Sequence, residues 1–175
     1  MKNRFWYLYK IKNKNARISD NAIIEGRVEM DKDGVIEIGE KTHIRKWSCF
    51  KPYGGKIKIG KNCSINSFCH FSGNGNISIG DNVLIATQCV LVSANHNFED
   101  IDQPLCFQGE TRAPIVIEDN CWLGAGVKVL AGVTIGHDSV IGAGAIVNRD
   151  IPPFSVAVGV PAKVRYDRRT KIDEK

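Results

Sequence analysis

Between Ile117 and Val147 an aliphatic residue returns at every sixth position, and this period constrains the fold more than any other feature. The period is neither that of a helix nor that of a simple strand. A second small or aliphatic residue comes two positions before each, and residues two apart in a strand point the same way. Each hexad therefore predicts one short strand with two inward side chains, followed by a corner where Gly can adopt a positive φ. The glycines expected at such corners are Gly124, Gly136 and Gly142, and the aliphatic series is Ile117, Leu123, Val129, Ile135, Ile141 and Val147.

Three such strands per turn close a triangular prism, in which strands of successive turns pair in parallel. The same pattern recurs in sets of three hexads that start at residues 18, 38, 59, 79, 117 and 135. The sequence therefore predicts an all-β solenoid, a parallel β-helix of about six coils with one long loop excursion after the fourth. The earlier large residues of the frame are Ile18, Ile24, Met30, Ile38, Ile44, Phe50, Ile59, Ile65, Phe71, Ile79, Ile85 and Leu91.

A single repeat array accounts for most of the chain, and 43% hydrophobic residues suffice to bury its core. We expect the parallel β-helix over residues 16–150, interrupted at about 93–114 by the excursion. Residues 1–15 are interpreted as an N-terminal cap on the open end of the solenoid, with peripheral contact to an anionic membrane as the alternative. Residues 151–175 form a C-terminal segment with a basic tail, and Pro152 and Pro153 are expected to end the regular pattern.

Composition excludes two classes of function. The net charge of +5 is modest, and no basic stripe with interleaved aromatic residues indicates a nucleic-acid binder. No apolar run reaches membrane-spanning length, so we expect a cytoplasmic protein.

The six cysteines include no C-x-x-C pair, which argues against a metal or redox motif. Cys63, Cys69, Cys89 and Cys121 occupy the small inward position of a hexad. We interpret them as small buried groups that a reducing compartment keeps as thiols.

Long excursions from a rigid repeat are where function is usually located, and this one opens with His96 in the sequence SANHNF. A neutral imidazole can accept a proton and return it, which suits a general base. By itself, however, a loop histidine is more often a solvated polar side chain.

Two other features need a partner or ligand. Trp122 occupies an outward position beside a core residue, and an outward indole on a flat face requires another subunit or a ligand. Lys163 and Arg165, beside Pro161, could hold a phosphate group by charge-assisted hydrogen bonds.

Four motifs together resemble the hexapeptide-repeat acyltransferases: SANHNF, API.I.DN.W.GAGV, GVTIG..SVIGAGAIV..DIPP and VAVGVPAKV. The match covers about residues 16–166 and is nearest to the sugar O-acetyltransferases that act on maltose, galactosides, or capsule and O-antigen sugars. It implies a left-handed parallel β-helix, a homotrimer, acetyl-coenzyme A as co-substrate without a metal, a sugar or glycan acceptor, and a catalytic histidine at His96. Handedness rests on the resemblance alone, because the general crossover rule favours the opposite hand. The chain departs from the family at Glu118, where Gly is usual.

The resemblance also implies roles for residues outside the excursion. The backbone N–H of Ala125 would stabilise the oxyanion. Asn66 would contact the acceptor. Coenzyme A would contact Trp122, Gly124, Ala125, Ala143, Gly144, Pro161, Lys163 and Arg165.

Three alternatives to sugar O-acetylation in polysaccharide biosynthesis were weighed. A γ-class carbonic anhydrase needs three zinc-binding histidines, and His96 has no histidine close to it in the sequence. A non-catalytic β-helix scaffold would have no use for His96, Trp122 and the VPAKV segment together. N-acetylation of an amino sugar or antibiotic stays open, because loop residues form the acceptor pocket.

The frame further predicts that the site lies between subunits. His96 follows the third hexad of the fourth coil, whereas Ala125 follows the second hexad of the fifth, so the two belong to different corners. One side of the prism is about six residues at 3.3 Å each, or roughly 20 Å. A catalytic pair needs contact at about 3 Å, which two neighbouring subunits can supply.

Overall fold

The computed structural model describes residues 15–170, which form short strands and a single turn of 3-10 helix. In chain order the first three coils consist of β1 Ala16–Ile18, β2 Ile23–Ile24, β3 Glu29–Met30, β4 Val35–Ile38, β5 His43–Ile44, β6 Cys49–Lys51, β7 Lys56–Ile59, β8 Ser64–Ile65 and β9 His70–Ser72. The fourth coil consists of β10 Ile77–Ile79, β11 Leu84–Ile85 and β12 Val90–Val92. The excursion then carries β13 Ala94–His96, the 3-10 turn Leu105–Phe107 and β14 Glu110–Arg112. The remaining strands are β15 Ile115–Ile117, β16 Trp122–Leu123, β17 Lys128–Val129, β18 Thr134–Ile135, β19 Val140–Ile141, β20 Ile146–Val147, β21 Ser155–Val158 and β22 Lys163–Asp167.

The strands assemble into three sheets that form the faces of a prism, which confirms the predicted parallel solenoid. Sheet 1 has the order β1-β4-β7-β10-β15-β18, sheet 2 the order β2-β5-β8-β11-β16-β19-β21-β22, and sheet 3 the order β3-β6-β9-β12-β17-β20. Within each coil the chain passes from sheet 1 to sheet 2 to sheet 3. We name the corners after the sheets that they join: corner 1–2, corner 2–3 and corner 3–1.

Successive coils pair in register, so the same inward position stacks on itself through the prism. Ile57 pairs with Ile77, which pairs with Ile115. Phe50 and Phe71 stack with ring centroids 4.6 Å apart and an interplanar angle of 4°. The large residues predicted to face inward are all buried except Ile24, which is half-buried in the first coil. The hydrophobic core is therefore one continuous column of aliphatic layers.

The regular pattern continues past Pro152 and Pro153, where the sequence was expected to end it. Ile151 bridges to Ile135, and β21 pairs in parallel with β19, so six complete coils are followed by part of a seventh. The prolines are tolerated because they lie at corner 1–2, between the two pairing segments, where no ladder donor is needed. After this partial coil, β22 folds back antiparallel to β21.

The expected positive φ at Gly124, Gly136 and Gly142 is wrong. The left-handed residues lie two positions later, at Gly126, Asp138 and Gly144, with φ of 72°, 59° and 71°. Gly124 is required for another reason: a Cβ built there would lie 2.6 Å from the backbone nitrogen of Ala143. Close stacking of neighbouring coils therefore excludes a side chain at this position.

The four inward cysteines are buried free thiols, as predicted, and they also act as weak donors. Each thiol donates to a corner carbonyl of the next coil, at S···O distances of 3.1–3.2 Å. Ser139 Oγ makes the equivalent bond to the carbonyl of Pro152 at 3.0 Å. The small inward position therefore serves both packing and hydrogen bonding.

The predicted N-terminal cap falls almost wholly on residues 1–14, which lie outside the described residues, as does the end of the basic tail at 171–175. Within residues 15–170, no helix has the length and apolar character needed to cross a bilayer.

Candidate active site

The excursion leaves and rejoins the prism at corner 3–1. Its two ends form an antiparallel pair, β13 with β14, in which His96 lies opposite Glu110. The N–H of Ala113 donates to the carbonyl of Ser93 at 3.0 Å and closes the base. The loop expected from sequence is therefore anchored by a short hairpin, and His96 is held at the last residue of a strand.

His96 is exposed and lines a groove of about 450 Å³ beside the hairpin. The wall below it comes from the preceding coils of corner 3–1, and the wall beside it comes from β14. The other lining residues are Tyr53, Ser72, Asn74, Val92, Ala94, Glu110 and Arg112. Such a groove combines a titratable group with several polar side chains, as binding sites commonly do.

Glu110 is the most strongly held charge in this groove. Arg112 donates from Nε to Glu110 Oε1 at 2.8 Å, and Asn74 Nδ2 lies 3.0 Å from both carboxylate oxygens. The hydrogen bond from Arg112, then that from Asn74, lowers the pKa of Glu110 below its usual value. Glu110 is therefore a carboxylate at neutral pH, positioned directly across the hairpin from His96.

Sequence reasoning missed Tyr53, Asn74, Glu110 and Arg112. The signal that could have found Glu110 and Arg112 is their alternation in Glu110-Thr111-Arg112, where the excursion returns to the frame. Tyr53 and Asn74 gave no such signal, because they are brought to His96 only by the stacking of corners.

Most of the residues predicted to contact coenzyme A lie together on corner 2–3. Trp122 is 51% exposed on the outer face of β16, and Gly124 and Ala125 form the corner that follows. Ala143 and Gly144 form the same corner one coil above, where the Gly144 N–H donates to the carbonyl of Ala125 at 2.8 Å. The strip is narrow, flat and free of large side chains at its centre.

The N–H of Ala125 is available to a ligand. Gly124 and Gly126 donate to the carbonyls of Ile141 and Thr87, whereas the exposed Ala125 has no hydrogen-bond acceptor for its N–H among residues 15–170. A fixed backbone donor with no partner can stabilise a developing oxyanion without reorganisation.

The C-terminal segment continues the strip upward. After the cis peptide Val160–Pro161, the N–H of Ala162 donates to the carbonyl of Ile146 at 2.8 Å, which holds this turn above the sixth coil. Lys163 then pairs with Val158 at the start of β22, and both Lys163 and Arg165 are exposed. Pro161 and Lys163 therefore lie at the upper end of corner 2–3.

The structure does not bring His96 and Ala125 together within one chain. His96 follows β12 of sheet 3, whereas Ala125 follows β16 of sheet 2, so one prism face separates them. Asn66 follows β8 and lies on corner 2–3 as well, two coils below Ala125. The predicted residues thus form two half-sites: His96 on corner 3–1, and all the others on or above corner 2–3.

Glu118, which departs from the family pattern, lies on corner 1–2, away from both half-sites. Its Oε2 accepts a hydrogen bond from the N–H of His137 at 2.8 Å. Among residues 15–170 no group of three or more His, Cys, Asp or Glu side chains is arranged to hold a metal ion.

Comparison with known proteins gives three informative similarities. Residues 114–149 match the family model described as bacterial transferase hexapeptide (six repeats). The galactoside O-acetyltransferase of Escherichia coli (strain K12) is 39% identical over 81% of this chain and 68% of its own length. The chain belongs to the hexapeptide-repeat acyltransferase family. It spans little more than half of two other curated relatives, 57% of one from Mycobacterium tuberculosis and 53% of one from Schizosaccharomyces pombe.

Solved structures of hexapeptide-repeat acyltransferases share the fold. A maltose O-acetyltransferase from Clostridium difficile 630 superposes with a TM-score of 0.61 and 27% identity, over 95% of this chain and 78% of that one. AntD, an N-acyltransferase from Bacillus cereus in complex with dTDP and coenzyme A, superposes with a TM-score of 0.81 at 21% identity, over 97% and 92% of the two chains. At that identity the second similarity concerns the fold alone.

Proposed function

We propose that the protein is an acetyl-coenzyme A-dependent O-acetyltransferase that modifies a sugar hydroxyl in cell-surface polysaccharide biosynthesis, and that it works as a homotrimer. One observation carries the proposal: a histidine groove and a strip with an unpaired N–H occupy two different corners of the same prism. Each is half of an acyl-transfer site, and a threefold ring of identical prisms can join them. The 39% identity to a galactoside O-acetyltransferase supports a sugar as the acceptor.

His96 supplies the acid–base chemistry in this proposal. Its imidazole removes the proton from the acceptor hydroxyl as the oxygen attacks the thioester carbon of acetyl-coenzyme A. The resulting tetrahedral intermediate carries an oxyanion, which accepts a hydrogen bond from the Ala125 N–H. When the intermediate collapses, the C–S bond breaks and the imidazolium returns its proton to the coenzyme A thiolate.

Glu110 acts as a positioning residue for that step. When His96 takes up a proton, the carboxylate across the hairpin stabilises the imidazolium by charge. Arg112 and Asn74 hold the carboxylate in place, so it needs little reorganisation during the reaction.

The strip on corner 2–3 suits the donor substrate. Ala143 and Gly144 let a pantetheine arm lie close to the backbone, while Trp122 flanks the thioester. Lys163, with Pro161 and Arg165 beside it, meets the phosphates of the nucleotide end by charge-assisted hydrogen bonds. A cytoplasmic location, where acetyl-coenzyme A and reduced thiols occur, agrees with the six free cysteines.

The decisive experiment incubates the protein with acetyl-coenzyme A and a panel of galactosides, oligosaccharides, nucleotide sugars and amino sugars, read by mass spectrometry and thiol release. The expected product is an O-acetylated sugar. His96→Ala should lower the rate by about 10² to 10⁴, with coenzyme A binding retained. His137→Ala is the matched control, because that imidazole lies on corner 1–2.

Two outcomes would contradict the proposal. Near-wild-type turnover by His96→Ala would remove the assigned base. Acetylation of amino sugars in preference to every hydroxyl acceptor would change the assignment to an N-acetyltransferase.

A further inference from the structure

Corner 2–3 contains an unusual pair of residues in its lower coils. In every complete coil the same turn position adopts a left-handed conformation, with φ between 57° and 72°. Its occupants from the first coil to the sixth are Gly26, Trp47, Phe68, Gln88, Gly126 and Gly144. Bulky L-residues rarely adopt this conformation, because Cβ then crowds the backbone. Trp47 and Phe68 therefore place large rings where the turn itself favours Gly.

Neither ring has a partner that would account for this strain within the described part of the chain. Trp47 is 48% exposed and Phe68 is 56% exposed, and neither stacks on another aromatic ring in residues 15–170. Phe154, also left-handed with φ 60°, is different. Its ring packs edge-on against His137 at 4.8 Å and lies under the guanidinium of Arg169 at 4.5 Å. Strained residues without a structural partner are typical of functional sites, so the partner of Trp47 and Phe68 lies outside the chain.

The two rings lie directly below the proposed reaction centre. Phe68 follows the predicted acceptor residue Asn66 by two positions, and the chain rises along the same corner to Ala125. Trp47 lines a groove of about 240 Å³ together with Arg27 and Glu29. The corner thus offers two apolar rings with hydrogen-bonding side chains beside them.

The opposite half-site repeats this arrangement. Tyr53, at corner 3–1, lines the groove of His96, is 49% exposed and is also left-handed, with φ 48°. If corner 3–1 of one subunit faces corner 2–3 of the next, Tyr53 and Trp47 flank the cleft at the level of the second coil. His96 and Ala125 then flank it above them.

We propose that Trp47 and Phe68 form an aromatic platform that binds the acceptor glycan of the proposed acetyl transfer, on which this inference rests. The C–H groups on one face of a pyranose ring pack against an aromatic ring, while the hydroxyls at its edge reach polar side chains such as Arg27 and Asn66. The two platform residues lie one coil apart along the prism axis, away from Ala125. The site therefore takes an oligosaccharide whose terminal ring reaches His96 while a following ring lies on the platform.

The test replaces each ring by Asn, which tolerates the left-handed conformation. Acetyl transfer to β-1,4-galactotetraose and to methyl β-galactoside is measured for wild type, Trp47→Asn and Phe68→Asn, together with Tm, oligomeric mass and coenzyme A affinity. Each variant should raise KM for the tetrasaccharide by about 3- to 10-fold, the range expected for one aromatic contact. KM for methyl β-galactoside should change less, and coenzyme A affinity and Tm should not fall.

Lys41→Asn is the matched control, because Lys41 is an exposed residue with φ 55° on corner 1–2. It relieves the same backbone strain and should leave both KM values unchanged. A platform variant that transfers acetyl with unchanged KM for the tetrasaccharide overturns the platform and leaves the proposed function standing. A lower oligomeric mass or Tm with unchanged KM would show that the rings are subunit contacts, which also overturns it. If wild type acetylates no sugar, the proposed function itself fails, and the platform with it.

Discussion

At the residue scale, the chemistry depends on two polar groups that the fold leaves in different states. The N–H of Ala125 has no acceptor in residues 15–170, whereas the carboxylate of Glu110 is bound from two sides. The free donor is ready for an oxyanion, and the bound carboxylate is fixed for an imidazolium. Both are prepared before substrate arrives.

Replacing Glu110 by Gln tests its positioning role. The amide keeps the size of the side chain but removes the charge that stabilises protonated His96, so kcat should fall about 10-fold, equivalent to the loss of one charge-assisted interaction. KM for acetyl-coenzyme A should stay near the wild-type value, because the donor strip is on another corner. Steady-state kinetics with either substrate varied give both numbers.

Arg112→Gln is the companion variant. Asn74 still holds the carboxylate in that protein, so a smaller loss of kcat is expected than in Glu110→Gln. If Glu110→Gln matches wild type in kcat, or if it changes only KM for the donor, Glu110 has no role in proton transfer.

At the element scale, the hexad frame alone predicted the coils, because inward residues such as Ile57, Ile77 and Ile115 stack on themselves. The frame misplaced the left-handed corner residue by two positions, since a glycine needed for close approach looks like one needed for φ. It also missed the partial seventh coil, because Pro152 and Pro153 suggest an end although they occupy a corner. The β13–β14 hairpin was not predicted, since its pairing obeys no repeat.

The inward thiols predict an alkaline limit to stability. Burial raises the pKa of Cys121 from 9.0 to about 11, and the thiol is 1% exposed. The folded state therefore holds a proton that the unfolded chain releases, so this contribution is complete below about pH 9 and lost as pH rises towards 11. The free energy of unfolding should fall with a slope of up to about 1.4 kcal/mol per pH unit from this group.

Cys121→Ser isolates that contribution. The hydroxyl keeps the donor to the corner carbonyl, as Ser139 does one coil above, but does not titrate in this range. Urea unfolding between pH 8 and 11 should show a shallower decline for the variant. Parallel curves for the two proteins would mean that the thiol does not control alkaline stability.

The β21–β22 hairpin positions the proposed phosphate contact. Lys163→Glu should weaken binding of coenzyme A at least 10-fold, since it replaces an attractive charge by a repulsive one, and should affect 3′-dephospho-coenzyme A less. Calorimetric titration of both ligands measures the difference. Lys58→Glu, an equal charge change on the outer face of sheet 1, should bind both as wild type does. Equal losses for the two ligands would place Lys163 away from the 3′-phosphate.

At the scale of the whole molecule, a single chain presents surfaces that need covering. The excursion carries Phe98, Ile101, Leu105 and Phe107, which are 60–93% exposed. Apolar side chains grouped in this way mark an interaction surface, and a neighbouring prism of the proposed trimer would cover them. The sequence could predict that His96 and Ala125 lie on different corners, because the frame counts corners. It could not supply the groove around His96, since Tyr53 and Asn74 reach it only through the stacking of coils.

The measurement that tests the shared site most directly is complementation between two inactive chains. One carries His96→Ala and the other a bulky Ala125→Trp, and the two are dissociated, mixed in equal amounts and reassembled. With random assembly about one quarter of the interfaces pair an intact His96 with an intact Ala125 corner. We expect acetyl transfer to recover to at most about one quarter of the wild-type rate, whereas each parent reassembled alone stays inactive. Mixed trimers demonstrated by native mass spectrometry that remain as inactive as the parents would show that both halves of the site come from one chain.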